Sequence, residues 1–222
     1  MSVNPIGAAP RRGYMTRLTT ALIPVALVAL LAGCDPVPPE PTPTSTPVVE
    51  PVETPTPTSD PEPVAEPLTI PDCETLVPLA LAKSSFAEST VFLGEGVPTE
   101  YYPWWQVPAV NSAIAGVTVA RSCWWGIPNS DGSFNLLVAE IDPATRASVE
   151  AALTSGGFYN VYMGTVTGRE AGRDGDNGYE AETHLFAGEV WILSDNHSME
   201  GTAAISDSAL AAMRAANPTL GL

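Results

Sequence analysis

Residues 117–157 read VTVARSCWWGIPNSDGSFNLLVAEIDPATRASVEAALTSGG, and this stretch decides the fold. Two apolar runs, Val117–Ile127 and Phe134–Ile141, flank Pro128-Asn129-Ser130-Asp131-Gly132-Ser133. The Asp-Gly step between β-prone runs predicts a hairpin. Asp142-Pro143 then opens a helix: a carboxylate at the N-cap, followed by proline where no amide hydrogen is needed. Val149 and Leu153 mark its apolar face, and Gly156-Gly157 is the expected C-terminal stop.

Working outward, a first helix is predicted from Asp72 to about Lys83, with Pro78 inside it, and a last one from Asp207 to Ala216. Phe158–Val166 alternates as one strand. Glu182–Phe186 and Val190–Leu193 form a second hairpin around Ala187-Gly188-Glu189. This order implies an α+β domain over 68–222, an antiparallel sheet of about five strands with helices packed on it. No internal repeat is visible.

The N-terminal third has a different character. Arg11, Arg12 and Arg17 precede an apolar stretch from Leu18 to Ala32, too short to span a bilayer comfortably and suited to a cleaved export signal. It closes on Leu31-Ala32-Gly33-Cys34, which resembles the lipobox of bacterial lipoproteins at each position. The resemblance implies a signal helix over 1–33, cleavage after Gly33, and diacylglyceryl transfer to Cys34. Arg11-Arg12-Gly13-Tyr14-Met15 loosely resembles a twin-arginine signal, and Met15 is an alternative start. Residues 34–67 hold the lipidated cysteine and a Pro/Thr/Glu-rich linker. Thirteen of the 23 prolines fall between Pro36 and Pro71, so the linker is expected to be disordered and to sample polyproline II. At about 3.1 Å per residue it would reach roughly 100 Å. Its Thr-Pro runs suit O-glycosylation.

Beyond Cys34 the chain carries six basic against 25 acidic residues, a formal charge of −19. Such a surface repels phosphate backbones and anionic headgroups. Nucleic acid is excluded as a partner, and attachment to the membrane falls to the lipid at Cys34. Two acyl chains meet the requirement for stable anchoring. The expected location is the extracytoplasmic face of the cell membrane. That compartment permits oxidation, so Cys73 and Cys123, the other cysteines, are expected to form a disulfide between the first helix and the first predicted strand.

An early helical cysteine, with a second one followed by Trp124 at the start of a hairpin, resembles small actinobacterial lipoprotein domains of unknown function. Some of these look like the α/β/α sandwich of PsbP-type photosystem subunits. The resemblance implies a fold and a cell-surface setting, and no catalytic residues.

Three clusters invite a chemical reading. Asp195-Asn196-His197-Ser198 gathers a carboxylate, an imidazole and a hydroxyl, but no Gly-x-Ser-x-Gly elbow is present, and a polar turn after a strand has this composition too. Arg173-Asp174-Gly175-Asp176-Asn177-Gly178-Tyr179-Glu180 fails the EF-hand spacing and reads as an exposed loop, with adventitious calcium as its alternative. Tyr101-Tyr102-Pro103-Trp104-Trp105, with Trp124-Trp125 further on, offers aromatic faces beside polar groups, a composition that binds sugars. Consecutive residues of a strand face opposite ways, so Trp124 and Trp125 do not both enter the core. The candidate ligand-binding residues are Tyr101, Tyr102, Trp104, Trp105 and Trp125, and the expected partner is cell-wall glycan or an envelope protein. No cofactor or metal is expected. The expectation is a non-catalytic binding domain; the alternative is a small envelope hydrolase using His184 or His197.

Overall fold

The structure, a computed structural model, describes residues 67–175 and 178–222. The signal, Cys34 and the linker to residue 66 lie outside the described residues, as do Asp176 and Asn177.

The domain is α+β, and its sheet has seven antiparallel strands rather than about five. Helices α1 (Cys73–Leu76) and α2 (Leu79–Ser85) come first, followed by β1 (Val91–Gly96). A 3₁₀ turn at Pro98–Glu100 and α3 (Pro108–Gly116) lead into β2 (Ala120–Gly126) and β3 (Ser133–Glu140). Then come α4 (Pro143–Ser155), β4 (Tyr159–Met163), β5 (Val166–Gly175), β6 (Gly178–Ala187), β7 (Val190–Asn196) and α5 (Met199–Ala216). The strand order is β1-β2-β3-β7-β6-β5-β4. The two foreseen hairpins therefore meet at the centre, where β3 pairs β7.

Alternation along the central strands supplies two cores. Leu136, Val138, Leu185, Ile192 and Trp125 face α1, α2 and α5, among Leu76, Ala82, Ile205 and Met213. Leu137, Ala139, Phe186, Trp191 and Leu193 face α3 and α4, among Val110, Ile114, Val149 and Leu153. Helices thus cover both faces in three layers. A strand buried on both sides has no polar face, so Leu136–Ala139 and Val190–Leu193 read as continuous apolar runs. Trp125 is fully buried, stacked on Phe134 with ring centroids 5.3 Å apart, while Trp124 is 48% exposed. The pair splits as alternation requires. The placement of Trp125 on a ligand surface is thereby corrected: the outward ring is Trp124.

Local differences from the expected elements have local causes. The first helix breaks at Pro78, which becomes the N-cap of α2. The β2–β3 loop turns at Pro128-Asn129 rather than at Asp131-Gly132. Ser130 N donates to Ile127 O at 3.2 Å, and Asn129 takes φ 59°. Proline with asparagine after it suits a turn whose third residue is left-handed. Phe158–Val166 is not one strand; Gly164, at φ 62°, folds it into the β4–β5 hairpin. Of the stretch 173–180, expected as an exposed loop, Arg173–Gly175 ends β5 and Gly178–Glu180 begins β6, with Arg173 opposite Glu180. Helix α4 is capped as expected: Asp142 accepts from Ala144 N and Thr145 N. It ends in the paired bonds of a Schellman motif, Phe158 N to Leu153 O and Gly157 N to Thr154 O, with Gly157 at φ 88°. Helix α5 starts eight residues earlier than expected, because Ser198 caps it by accepting from Gly201 N at 3.0 Å.

The disulfide is present. Cys73 and Cys123 are bonded, with Cα atoms 5.6 Å apart and both residues buried. It ties α1 to β2, the second strand of the chain because β1 precedes it. Among the described residues, no helix is long and apolar enough to cross a membrane.

Candidate functional site

A row of residues runs straight across the sheet on the α3/α4 face. Trp124, Asn135, Asp195, Glu182 and Ala171 are successive cross-strand partners. Two of them are carboxylates side by side, and Asp195 and Glu182 are both fully buried. The segment 101–107 lies over this row, and its donors satisfy the pair. Tyr101 Oη donates to Asp195 Oδ2 at 2.7 Å, and Trp105 N donates to Glu182 Oε2 at 3.0 Å. Asn135 donates from its backbone and side chain to Asp195 Oδ1, at 2.9 and 3.1 Å.

His184 lies next along β6 and is fully buried. The indole Nε1 of Trp191 only donates, and it does so to His184 Nδ1 at 3.2 Å. Nδ1 therefore accepts and the ring proton sits on Nε2, which donates to Glu182 Oε1 at 2.8 Å. Both imidazole nitrogens are occupied. Burial, reinforced by the Glu182 charge, pushes the Asp195 carboxyl up to about 7 against the pull of its Tyr101 and Asn135 bonds. Burial and then the Asp195 charge push the Tyr101 hydroxyl well above its usual value.

This anchored segment sets the position of Trp104. Arg173 Nη2 donates to Trp104 O at 3.0 Å, while its guanidinium lies 4.4 Å from the Trp105 ring centroid and its Nε donates to Glu180 Oε2 at 2.7 Å. Trp105 also meets Phe158 edge-on at 5.7 Å. Trp104 stands at the sheet end where β7 finishes, its centroid 4.9 Å from that of His197; Phe86 lies 5.5 Å from the same imidazole. His197 Nδ1 donates to Tyr179 O at 3.1 Å, which fixes the ring. The three rings, with Asp131, Ser133 and Glu180, line an open groove of about 480 Å³.

The sequence candidates therefore scatter. Trp104 and His197 meet in the groove, although they are 93 residues apart. Tyr101 points inward to Asp195, Tyr102 is 73% exposed, and Trp105 holds Arg173. Ser198 is a helix cap. No hydroxyl or thiol is hydrogen-bonded to either histidine ring among the described residues. Nor does any group of three or more His, Cys, Asp or Glu among them suit a metal ion. Sequence reasoning missed Phe86, Asn135, Asp131, Arg173 and the buried Glu182. The signal for Glu182 was there, in Glu182-Thr183-His184 beside Leu185-Phe186-Ala187, where two polar residues share one face of a strand otherwise apolar. A larger cleft of about 710 Å³ lies between α3 and α4, bordered by Ser112, Thr118, Glu140, Thr145 and Glu189. It has no exposed aromatic face, since Trp191 in its lining is fully buried.

No family model matches the chain, and no curated protein matches it. A solved structure described as a GTP binding regulator from Thermotoga maritima is similar with a TM-score of 0.33 and 7% identity, over 58% of this chain and 84% of that one. A likeness at that level carries no argument.

Proposed function

We propose that the protein is a lipid-anchored lipoprotein of the cell envelope whose domain binds an envelope component without catalysis, at the Trp104 groove. The observation that carries the binding reading is the groove itself: three aromatic rings beside a hydroxyl and two carboxylates, held by a segment pinned to the sheet at Tyr101 and Trp105. Aromatic faces with nearby polar groups suit the apolar and hydroxylated sides of a sugar. The anchor reading rests on the signal-like residues 1–33 and on Leu31-Ala32-Gly33-Cys34. Residues 34–67 act as the spacer between membrane and domain. Cell-wall glycan is the ligand this groove favours, and an envelope protein is the alternative. The hydrolase alternative lacks support at its first requirement, a nucleophile in contact with His184 or His197.

Two experiments test the proposal. The Cys34→Ala protein is expected to leave the membrane fraction and appear soluble; retention after an alkaline wash would remove the anchor reading. Trp104→Ala is expected to reduce pull-down by insoluble cell wall about tenfold or more while shifting the thermal midpoint by only a few degrees, since it deletes one partly buried ring outside both cores. Undiminished pull-down would end the groove reading.

A further inference from the structure

We infer that the groove ligand is a deacetylated amino sugar, a sugar ring carrying a primary ammonium, and not a neutral glycan. The inference rests on the groove reading above and adds the sign of the ligand's charge. Aromatic faces are negative, and a cation over them is attracted by the ring quadrupole. The rings of Phe86 and Trp104 each lie beside His197 in the groove, which adds two carboxylates. Asp131 has no hydrogen bond or ion pair within the described residues, so its charge is free for a ligand. Glu180 is engaged by Arg173 through Oε2 alone. No lysine or arginine lines the groove. Arg173, the cation beside it, is committed to Glu180, to the Trp104 carbonyl and to the Trp105 ring.

The rest of the domain points the same way. From residue 68 onward 18 carboxylates face six basic residues, so the field at the groove mouth draws cations and repels anions. An N-acetylated sugar can still stack on Trp104 and donate an amide N–H to Asp131, but it brings no positive charge for the rings or the carboxylate to attract. A lone lysine side chain would satisfy the charge but leave much of a groove of about 480 Å³ unfilled. A sugar ring fills more of it, stacks on Trp104 and offers hydroxyls to Ser133.

The test compares two probes on the full chain purified in detergent: a glucosamine tetramer and an N-acetylglucosamine tetramer, titrated by calorimetry at neutral pH, where much of the sugar amine is protonated while imidazole is mostly uncharged. The glucosamine tetramer is expected to bind about tenfold more tightly, with the preference shrinking as salt is raised. Asp131→Asn, at an exposed loop position, is expected to abolish most of the preference, and Trp104→Ala to abolish binding of both probes. Equal binding of the two tetramers, unchanged by Asp131→Asn, would overturn the charge inference and leave the groove reading standing. Binding of neither tetramer would overturn both. Glucosamine binding that survives in the Trp104→Ala, Asp131→Asn double variant would be general attraction to an acidic chain and would also overturn the inference.

Discussion

Replacing Cys73 and Cys123 together by alanine is expected to lower the unfolding free energy by about 4 kcal/mol, the chain-entropy value for a closed loop of about fifty residues. The loop holds α2, β1, the segment 101–107 and α3, so the bridge constrains most of the N-terminal half of the domain. Helix α1 is only four residues long and cannot stand by itself; its place against α5 and β2 depends on Cys73, on Leu76, and on the bond from Ser208 Oγ to Leu76 O. Chemical denaturation of the double variant measures the loss. Alkylation of the unreduced, denatured wild type is expected to label neither thiol. A loss below about 1 kcal/mol, or labelling of both cysteines, would show that the bridge does not carry this part of the fold.

The elements that could be read from sequence carry their instructions locally. Helix α4 has Asp142, Pro143 and the glycine pair within one short stretch, and it forms where those residues place it. The β2–β3 and β6–β7 hairpins have turn residues between apolar runs. What escaped depends on distant partners. Strand β1 reads Val-Phe-Leu-Gly-Glu-Gly, with glycines that argue against a strand; it exists because Phe92 packs on Trp125 and β2 supplies its hydrogen bonds. Strand β5, with Arg169, Glu170, Arg173 and Asp174, is too polar to announce itself and is held between β4 and β6. Helix α3 has no capping side chain, since Val107 precedes Pro108. The first turns of α5 carry Gly201, Thr202 and Ser206, which look like loop residues. In the structure Thr202 bonds to Glu170, and Ser206 to Ser194, beneath the helix.

The candidate site shows the same division. The aromatic run was visible as a composition, but its four rings have separate tasks, and only the tertiary arrangement assigns them. Strand alternation could say that Trp124 and Trp125 part company, and not which one turns inward, because that depends on where Phe92 and Phe134 lie. His197 drew notice as a neighbour of Asp195 and Ser198. Asp195 lies within β7, buried beneath Tyr101, whereas His197 and Ser198 follow the strand's end, so Ser198 turns to cap α5 and Trp104 is the ring beside His197.

The buried carboxylate row carries the second large expectation. Asp195 titrates at about 7 in the folded domain and near 4 when unfolded, so the folded state holds its proton more tightly. The stability this contributes is complete below about pH 4 and is lost as pH rises through 7, a decline of up to about 4 kcal/mol. Glu170, also raised by burial, slopes in the same direction, so the wild type alone does not isolate Asp195. Asp195→Asn does. The amide keeps the shape of the carboxyl but does not titrate, and the groups around it, Tyr101, Asn135, Glu182 and through Glu182 His184, remain in place. At low pH the variant is expected to be modestly less stable, since one amide N–H meets a donor where a carboxyl oxygen accepted. As pH rises the wild type should lose this advantage and the difference should reverse, because the variant no longer places two carboxylates side by side without water. Unfolding free energies of both proteins from pH 4 to 8, measured by denaturant titration, give the difference directly. A difference that stays flat across that range would show that Asp195 is ionised throughout, with Tyr101 and Asn135 sufficient to hold its charge.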